Sequence, residues 1–144
     1  MARAKADGEA TQTLGRVLIV EDDAILAMAM EDALRDAGAR EVETCRTTEE
    51  ALAALRREKP DVLVLDVYLA DRDDGWAIAE LVDGIGPKPP RIVFSTGAPD
   101  DIPEEIAGLG PVLAKPYDPA DLVAAIRDKQ KRGLFSRLRG SLTK

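Results

Sequence analysis

The sequence predicts a doubly wound α/β fold, in which five parallel strands form one sheet with helices on both of its faces. Apolar runs rich in Val, Ile and Leu recur along the chain, and segments with helical spacing separate them. Continuous apolar runs of this kind are typical of strands that are buried on both faces of a parallel sheet. The chain has 144 residues, which is enough for one such domain with a single hydrophobic core.

The first half of the chain carries two strand and helix repeats. Residues 16–21 are predicted to form a strand, and a helix is predicted over 23–37 because apolar residues recur there at helical spacing. Residues 42–45 are the second predicted strand. Thr47 followed by Glu50 is the pattern of a capping box, which opens the second helix. The helix positions predicted to face the core are Ala27, Met30, Ala33, Leu34, Ala51, Leu52 and Leu55.

The second half of the chain continues this alternation. Its predicted strands are 61–66, 91–95 and 112–114, and its predicted helices are 76–82, 101–108 and 118–130. Asp118 followed by Pro119 is typical of a helix N-cap with proline in the first turn. Five repeats of a strand and a helix, joined by right-handed crossovers, give an open sheet that is covered on both faces.

Charge and composition divide the chain into an arm over 1–15, a folded body over 16–130 and a basic tail over 131–144. The arm is polar without periodicity, and we predict that it is disordered. Residues 127–144 carry seven basic residues and one acid, whereas the rest of the chain carries 13 basic and 26 acidic residues. Two hypotheses remain open for the tail: a segment that docks on an acidic partner or an anionic membrane, and a solvated, disordered end.

Composition also excludes several classes of function. The chain has no His, which rules out a His-dependent triad, a His-ligated zinc site and a phosphohistidine on this chain. The single Cys45 cannot form an internal disulfide. Because aromatic residues make up 3% of the chain and its net charge is −7, no direct DNA binding is expected. No stretch suits a signal peptide or a membrane span, so a cytoplasmic location is expected.

Polar residues follow four of the predicted strands at the point where each strand ends. Glu21 and Asp22 follow the first strand, Asp66 the third, Thr96 the fourth and Lys115 the fifth. Since ligands bind at the carboxyl ends of parallel strands, these side chains are expected to share one pocket. Three carboxylates at close range need a counter-charge, which Mg²⁺ or Lys115 can supply. The pattern therefore predicts a phosphoryl site, while Asp23 is better placed as a helix N-cap.

These four motifs, in this order, resemble the receiver domain of two-component response regulators over residues 16–130. The resemblance implies the (βα)5 flavodoxin-like receiver fold. In addition, the segment Phe94-Ser95-Thr96-Gly97 resembles the Phe-Ala-Thr-Gly motif of the FAT GUY receiver subgroup, whose members are often stand-alone regulators. One position departs from the family pattern: Val112 stands three residues before Lys115, where many receivers have an aromatic switch residue.

The resemblance also assigns roles to the site residues. Asp66 is implied as the phosphoacceptor, which would become a 4-aspartylphosphate. Mg²⁺ would be bound directly by Asp22, Asp66 and the backbone carbonyl of Tyr68, and by Glu21 through a water molecule.

Two further residues are implied to sense the phosphoryl group. Thr96 and Lys115 would each bond to one of its oxygens. The Lys115-Pro116 peptide bond is expected to be cis, as it is in the family.

The function implied is that of a single-domain response regulator that is not itself an enzyme. It would receive a phosphoryl group from a sensor histidine kinase or a phosphotransfer protein, and then contact an unknown downstream protein or act as a phosphate sink or relay. The alternatives are a phosphorylation-independent binding module and an aspartate-nucleophile phosphatase of the haloacid dehalogenase type. The phosphatase is disfavoured because Tyr68 stands where a second Asp would be needed.

Overall fold

The computed structural model describes residues 13–67 and 76–128, apart from the side chain of Trp76. Within these ranges, five parallel strands form one sheet in the order β2-β1-β3-β4-β5. The strands are β1 (Gly15–Val20), β2 (Ala39–Cys45), β3 (Val62–Leu65), β4 (Arg91–Thr96) and β5 (Val112–Ala114). The predicted doubly wound parallel sheet is confirmed. The predictions for the arm up to residue 12, the loop 68–75 and the tail 131–144 lie outside the described residues.

Helices cover both faces of this sheet. They are α1 (Ala24–Asp36), α2 (Thr48–Arg57), α3 (Trp76–Asp83), α4 (Glu104–Ala107) and α5 (Pro119–Arg127), with a 3₁₀ turn at Pro99–Asp101. Buried residues of α1 and α5 pack in one core cluster, and those of α2, α3 and α4 pack in the other, on the opposite face. Among the described helices, none combines the length and apolar character that crossing a membrane requires.

The strands are buried on both faces, as their continuous apolar runs predict. Along β1, Leu18 and Val20 belong to one core cluster, and Val17 and Ile19 belong to the other. Successive side chains of a strand point to opposite faces, so each apolar run supplies both cores at once. At about 25 cal/mol per Å² of buried apolar area, these strands contribute much of the stability of the fold.

Local capping is also as predicted. The carboxylate of Asp23 accepts hydrogen bonds from the first amides of α1, and the hydroxyl of Thr47 accepts one from the amide of Glu50. The Asp118 carboxylate caps α5 in the same way, with Pro119 in its first turn. Each such cap contributes about 1 kcal/mol and fixes where its helix begins.

Several predicted boundaries were wrong. The folded body begins before residue 16, because Leu14 is buried and Gly15 already pairs in β1. Gly15 has φ +74°, and a Cβ there would lie 2.3 Å from the Asp61 carboxylate, so only glycine fits. The predicted helix over 101–108 is instead a 3₁₀ turn and the four-residue α4, since prolines interrupt it.

Two helix predictions also need correction. The last helix ends at Arg127, where Asp128 is its C-cap, rather than near residue 130. In α2, the core position is taken by the fully buried Ala54, whereas Leu52, which was predicted to face the core, is only half-buried.

Arg16 was not singled out by the sequence, yet its side chain is only 2% exposed. Its guanidinium lies 2.6 Å from Glu43, 3.3 Å from Glu58 and 3.5 Å from Glu41. Glu43 is also paired with Arg57 at 2.7 Å. This buried arginine therefore holds the beginning of β1 against β2 and the residue that follows α2.

Candidate functional site

Backbone hydrogen bonds beyond the strand ends place the predicted site residues side by side. The amide of Asp66 donates to the carbonyl of Val20 at 3.0 Å, and the amide of Lys115 donates to that of Thr96 at 2.8 Å. Asp66 directly follows β3, Lys115 directly follows β5, and Thr96 is the last residue of β4. The parallel ladder thus continues one residue past the strands and orients the side chains that begin the loops.

Three carboxylates meet at this edge of the sheet. Glu21, Asp22 and Asp66 each place one oxygen within 4.8 Å of the others. Glu21 is 1% exposed and Asp66 is 5% exposed, so water screens their charges poorly. At an effective dielectric constant of 20, two like charges at this distance repel by roughly 3.5 kcal/mol. A cation is therefore required here, as the sequence predicts.

Lys115 supplies one such cation. Its Nζ lies 2.9 Å from Asp66 Oδ2 and 2.8 Å from Glu21 Oε1. Burial of the amine alone would lower the pKa of Lys115, but the bonds to Glu21 and Asp66 raise the pKa above its usual value. Lys115 is therefore charged at neutral pH and bridges two of the three carboxylates. The Lys115-Pro116 peptide bond is cis.

Glu21 is held from two directions. Its Oε2 accepts a hydrogen bond from the amide of Asp23 at 3.0 Å, while Oε1 is buried and makes an ion pair with Lys115 without the angle of a hydrogen bond. Burial raises the pKa of Glu21 above its usual value, although the ion pair with Lys115 partly offsets this. The consecutive residues Glu21, Asp22 and Asp23 have three different environments: a buried ion pair, the partly exposed acidic cluster and a helix cap.

Thr96 is fully buried, and its hydroxyl accepts a hydrogen bond from the amide of Ala98 at 3.0 Å. This bond holds the residue at the start of the segment that leads into the 3₁₀ turn. A movement of the Thr96 hydroxyl would therefore break or shift the hydrogen bond to the amide of Ala98, where that segment begins.

The sequence missed a hydrogen bond beside this site. The hydroxyl groups of Ser95 and Tyr117 are 2.7 Å apart, and Tyr117 packs against the core cluster under α1 and α5. Burial raises the pKa of the Tyr117 phenol, which therefore remains protonated at neutral pH. The alternation of β4 could have indicated that Ser95 points to that face, opposite to Thr96, but nothing in the sequence specifies its partner.

The acidic cluster suits a hard divalent cation. Mg²⁺ prefers oxygen ligands and keeps several of its waters, so that two or three carboxylates are a sufficient protein contribution. The buried Glu21 Oε1, which receives no hydrogen bond of good geometry, is a ready acceptor for a metal-bound water. The carbonyl of Tyr68, which the resemblance also implies as a ligand, lies outside the described residues.

A five-stranded parallel sheet with an acidic cluster and a lysine at the carboxyl ends of its strands is the architecture of a phosphorylation-dependent signalling domain. The family described as "Response regulator receiver domain" matches residues 17–127, and the chain belongs to that family. Receiver domains act in two-component signalling, generally bind Mg²⁺ at an acidic site and interact with histidine kinases or phosphotransfer proteins.

Individual relatives agree with this assignment. The transcriptional regulatory protein PdtaR of Mycobacterium tuberculosis is 32% identical over 113 residues, which are 77% of this chain and 54% of PdtaR. The chemotaxis response regulator CheY4 of Vibrio cholerae has 26% identity and a TM-score of 0.68, over 80% of this chain and 98% of CheY4. The receiver domain of Erythrobacter litoralis PhyR has 27% identity and a TM-score of 0.68, over 81% of this chain and 89% of that domain. The chain spans about half the length of curated relatives such as PdtaR.

Proposed function

We propose that this receiver accepts a phosphoryl group on Asp66 from the phosphohistidine of a sensor kinase or a phosphotransfer protein. The observation that supports this most directly is the position of Asp66, which belongs to the acidic cluster and contacts the ammonium group of Lys115. We further propose that the chain acts as a stand-alone regulator in the cytoplasm, either through protein contacts or as a phosphate relay or sink. It is then a substrate of phosphotransfer and not a turnover enzyme.

In this reaction an oxygen of Asp66 attacks the phosphorus in line. The new O–P bond forms as the N–P bond breaks, and the imidazole of the donor leaves with the electron pair of that bond. When bound, Mg²⁺ neutralises charge on the transferred oxygens. Asp22 and Asp66 would hold the ion directly, and Glu21 would hold it through a water.

Lys115 has to change partner during the reaction. Its Nζ contacts Asp66 Oδ2, which is one of the two oxygens of the acceptor carboxylate. Once Asp66 carries the phosphoryl group, Lys115 pairs with a phosphoryl oxygen, and the hydroxyl of Thr96 donates to another. Thr96 would then reorient, and the segment from Ala98 onward would respond, since the amide of Ala98 is bonded to that hydroxyl.

The acceptor assignment is tested by phosphorylation with acetyl phosphate and Mg²⁺. The wild-type chain should gain one acid-stable, base-labile phosphoryl group, and Asp66→Asn should gain none. Asp83→Asn, which removes an exposed carboxylate at the end of α3, is the matched control and should be labelled like the wild type. Label on the Asp66→Asn protein would contradict the assignment, and a wild type that is never labelled would favour a phosphorylation-independent binding module.

An exposed apolar patch on α1 supports the kinase as the phosphoryl donor. Ile25 is 80% exposed and Met28 is 62% exposed, and they lie one helical turn apart just after the residues that form the acidic cluster. A donor whose phosphohistidine reaches Asp66 approaches the carboxyl ends of the strands, where α1 begins. Large exposed apolar side chains beside a reactive group are typical of a protein contact surface.

The double variant Ile25→Ala and Met28→Ala should slow phosphotransfer from the cognate kinase by about tenfold, because two apolar contacts are lost. Labelling by acetyl phosphate should be unchanged, since this small donor does not need the patch. Leu81, which is 53% exposed on α3, provides the control: Leu81→Ala should leave both rates unaltered. Equal kinase-dependent rates for the wild type and the double variant would exclude the α1 patch from kinase recognition.

A further inference from the structure

A second pocket lies at the opposite end of the strands from the acidic cluster, where β1, β3 and β4 begin. Its volume is about 690 Å³, and its lining includes the first residues of these strands, Gly15, Val62 and Arg91. Small-molecule sites have volumes of about 300–1,000 Å³, so this pocket is large enough for a nucleotide. The charged residues that line it are Arg40, Lys59, Asp61, Lys88, Arg91 and Arg127.

The lining of this pocket has a net positive charge, whereas the chain as a whole has a net negative charge. The whole chain has a net charge of −7, yet the pocket gathers five basic residues and one acid. That acid, Asp61, is already engaged: its Oδ2 accepts a hydrogen bond from the amide of Arg16 at 2.8 Å and lies 3.8 Å from Arg40. Even without Arg91, which makes an interaction of its own, four basic residues accompany one carboxylate in the described lining, so the pocket has a positive potential that attracts anions.

Hydrogen bonds to the backbone hold two of the cations in place without neutralising them. The ammonium group of Lys59 donates to the carbonyl of Lys88, and the guanidinium of Arg127 donates to the carbonyl of Ala37 at 2.7 Å. A carbonyl lowers the rotational freedom of the side chain, but it does not remove its charge. The positive groups are therefore partly preorganised, which reduces the entropy that an anion loses on binding.

The remaining walls are partly apolar. Pro60, Pro89 and Pro90 line the pocket beside the basic residues. Proline fixes its own backbone φ angle, so these walls are stiff. Pro60 and Pro90 are buried, and the exposed Pro89 offers an apolar ring against which a planar group can pack. A concave pocket of this size, with both positive charge and apolar faces, suits a compact ligand better than an extended acidic peptide.

From these observations we propose that the pocket binds a small phosphate-bearing anion with several negative charges, of about the size of a nucleoside diphosphate. The guanidinium groups can each donate two parallel hydrogen bonds to a phosphate group, while the lysines add point charges. The pocket lies far from Asp66, because the six residues of β1, at 3.3 Å each, separate the two ends of the strands by about 20 Å. Binding in the pocket is therefore independent of phosphorylation at Asp66.

The test is calorimetric titration of the full chain with ADP and, separately, with inorganic tripolyphosphate. Divalent cations are removed beforehand with a chelating resin, which excludes metal-dependent binding at Asp66 without adding a competing anion. Low ionic strength leaves the electrostatic attraction unscreened. We expect saturable one-to-one binding of at least one probe that weakens as salt is added, and the same affinity in Asp66→Asn. Tighter binding of ADP than of tripolyphosphate would indicate that the exposed Pro89 contacts the base.

Two double variants with the same change in charge locate the site. Arg40→Gln with Lys88→Gln removes two positive charges from the pocket lining and should weaken binding by about tenfold or more. Arg46→Gln with Arg56→Gln removes two exposed charges elsewhere and should leave the affinity within about twofold. Circular dichroism checks that both variants fold.

Three results would overturn the proposal. The first is an absence of saturable binding of either probe by the wild type. The second is equal weakening by the two double variants, which would mean that the attraction is only that of general surface charge. The third is an affinity for an acidic peptide that exceeds the affinity for both phosphate probes and depends on Arg40 and Lys88.

Discussion

Replacement of Lys115 by methionine tests the electrostatic account of the pocket most directly. Methionine keeps most of the apolar length of the side chain but removes the ammonium group that contacts Asp66 and Glu21. The variant leaves three carboxylates within 4.8 Å of one another without their internal counter-charge. We therefore expect the metal-free protein to lose stability and to depend more strongly on Mg²⁺.

The contacts of Lys115 set the size of the expected loss of stability. At an effective dielectric constant of 20, each contact of Lys115, at 2.8 and 2.9 Å, corresponds to an attraction of roughly 6 kcal/mol before desolvation is subtracted. Removing one partner of a buried pair typically costs about 3–5 kcal/mol. The Lys115 side chain is 22% exposed, so we take the lower end, about 3 kcal/mol. At about 4 °C per kcal/mol for a domain of this size, Tm should fall by about 12 °C.

The assay is thermal unfolding followed by circular dichroism, in EDTA and then at increasing Mg²⁺ concentration. Each Mg²⁺ concentration should raise the Tm of the variant more than that of the wild type, because the ion replaces the missing ammonium group and no longer competes with it. Lys88→Met, which removes an exposed lysine far from the acidic cluster, should change the stability by less than about 0.5 kcal/mol. A Lys115→Met protein with the wild-type Tm in EDTA, or with an unchanged response to Mg²⁺, would refute the reasoning.

Three further predictions concern groups outside the acidic cluster. The hydrogen bond between Ser95 and Tyr117 should contribute about 1 kcal/mol in a double-mutant cycle of Ser95→Ala and Tyr117→Phe, measured by urea unfolding, and a coupling near zero would show that the bond is not formed in solution. Burial raises the pKa of Cys45 from 9.0 to about 11. The stability that the protonated thiol contributes is therefore present below pH 9 and is lost as the pH rises toward 11. Iodoacetamide should label the native protein at pH 8 far more slowly than the denatured protein. Arg16→Met should destabilise the fold by about 1–2 kcal/mol in the same unfolding assay, because three partly exposed glutamates lose their shared counter-charge, and an unchanged stability would contradict that cluster.

The sequence was sufficient for the sheet and for the composition of the acidic pocket. Buried parallel strands leave continuous apolar runs, and the residues at their carboxyl ends must lie close together once the strands are parallel. For this reason the sequence alone could predict that Glu21, Asp66 and Lys115 lie in one pocket, without any knowledge of the side-chain packing. N-caps such as Asp23 could also be predicted from the sequence, because capping depends on a few neighbouring residues.

The features that the sequence missed depend on contacts between distant parts of the chain. The partners of Arg16 come from β2 and from the residue that follows α2, and no local pattern pairs a strand arginine with them. The bond between Ser95 and Tyr117 joins residues 22 positions apart. The basic pocket gathers residues from positions 13 to 127, and its charge was hidden by the acidic average of the chain. All three features are determined by tertiary packing and not by local sequence.

The acidic run that follows β1 shows that neighbouring carboxylates in this chain are not interchangeable. Glu21 folds back to the amide of Asp23 while it reaches Lys115, Asp22 faces the cluster, and Asp23 caps α1. Deleting one residue from the run would keep the local composition acidic and yet change the role of every acid in it. The capping side chain would be drawn into the pocket, and the helix would begin without its cap. For anyone who transplants this loop into another receiver, the register of the three acids matters more than their number.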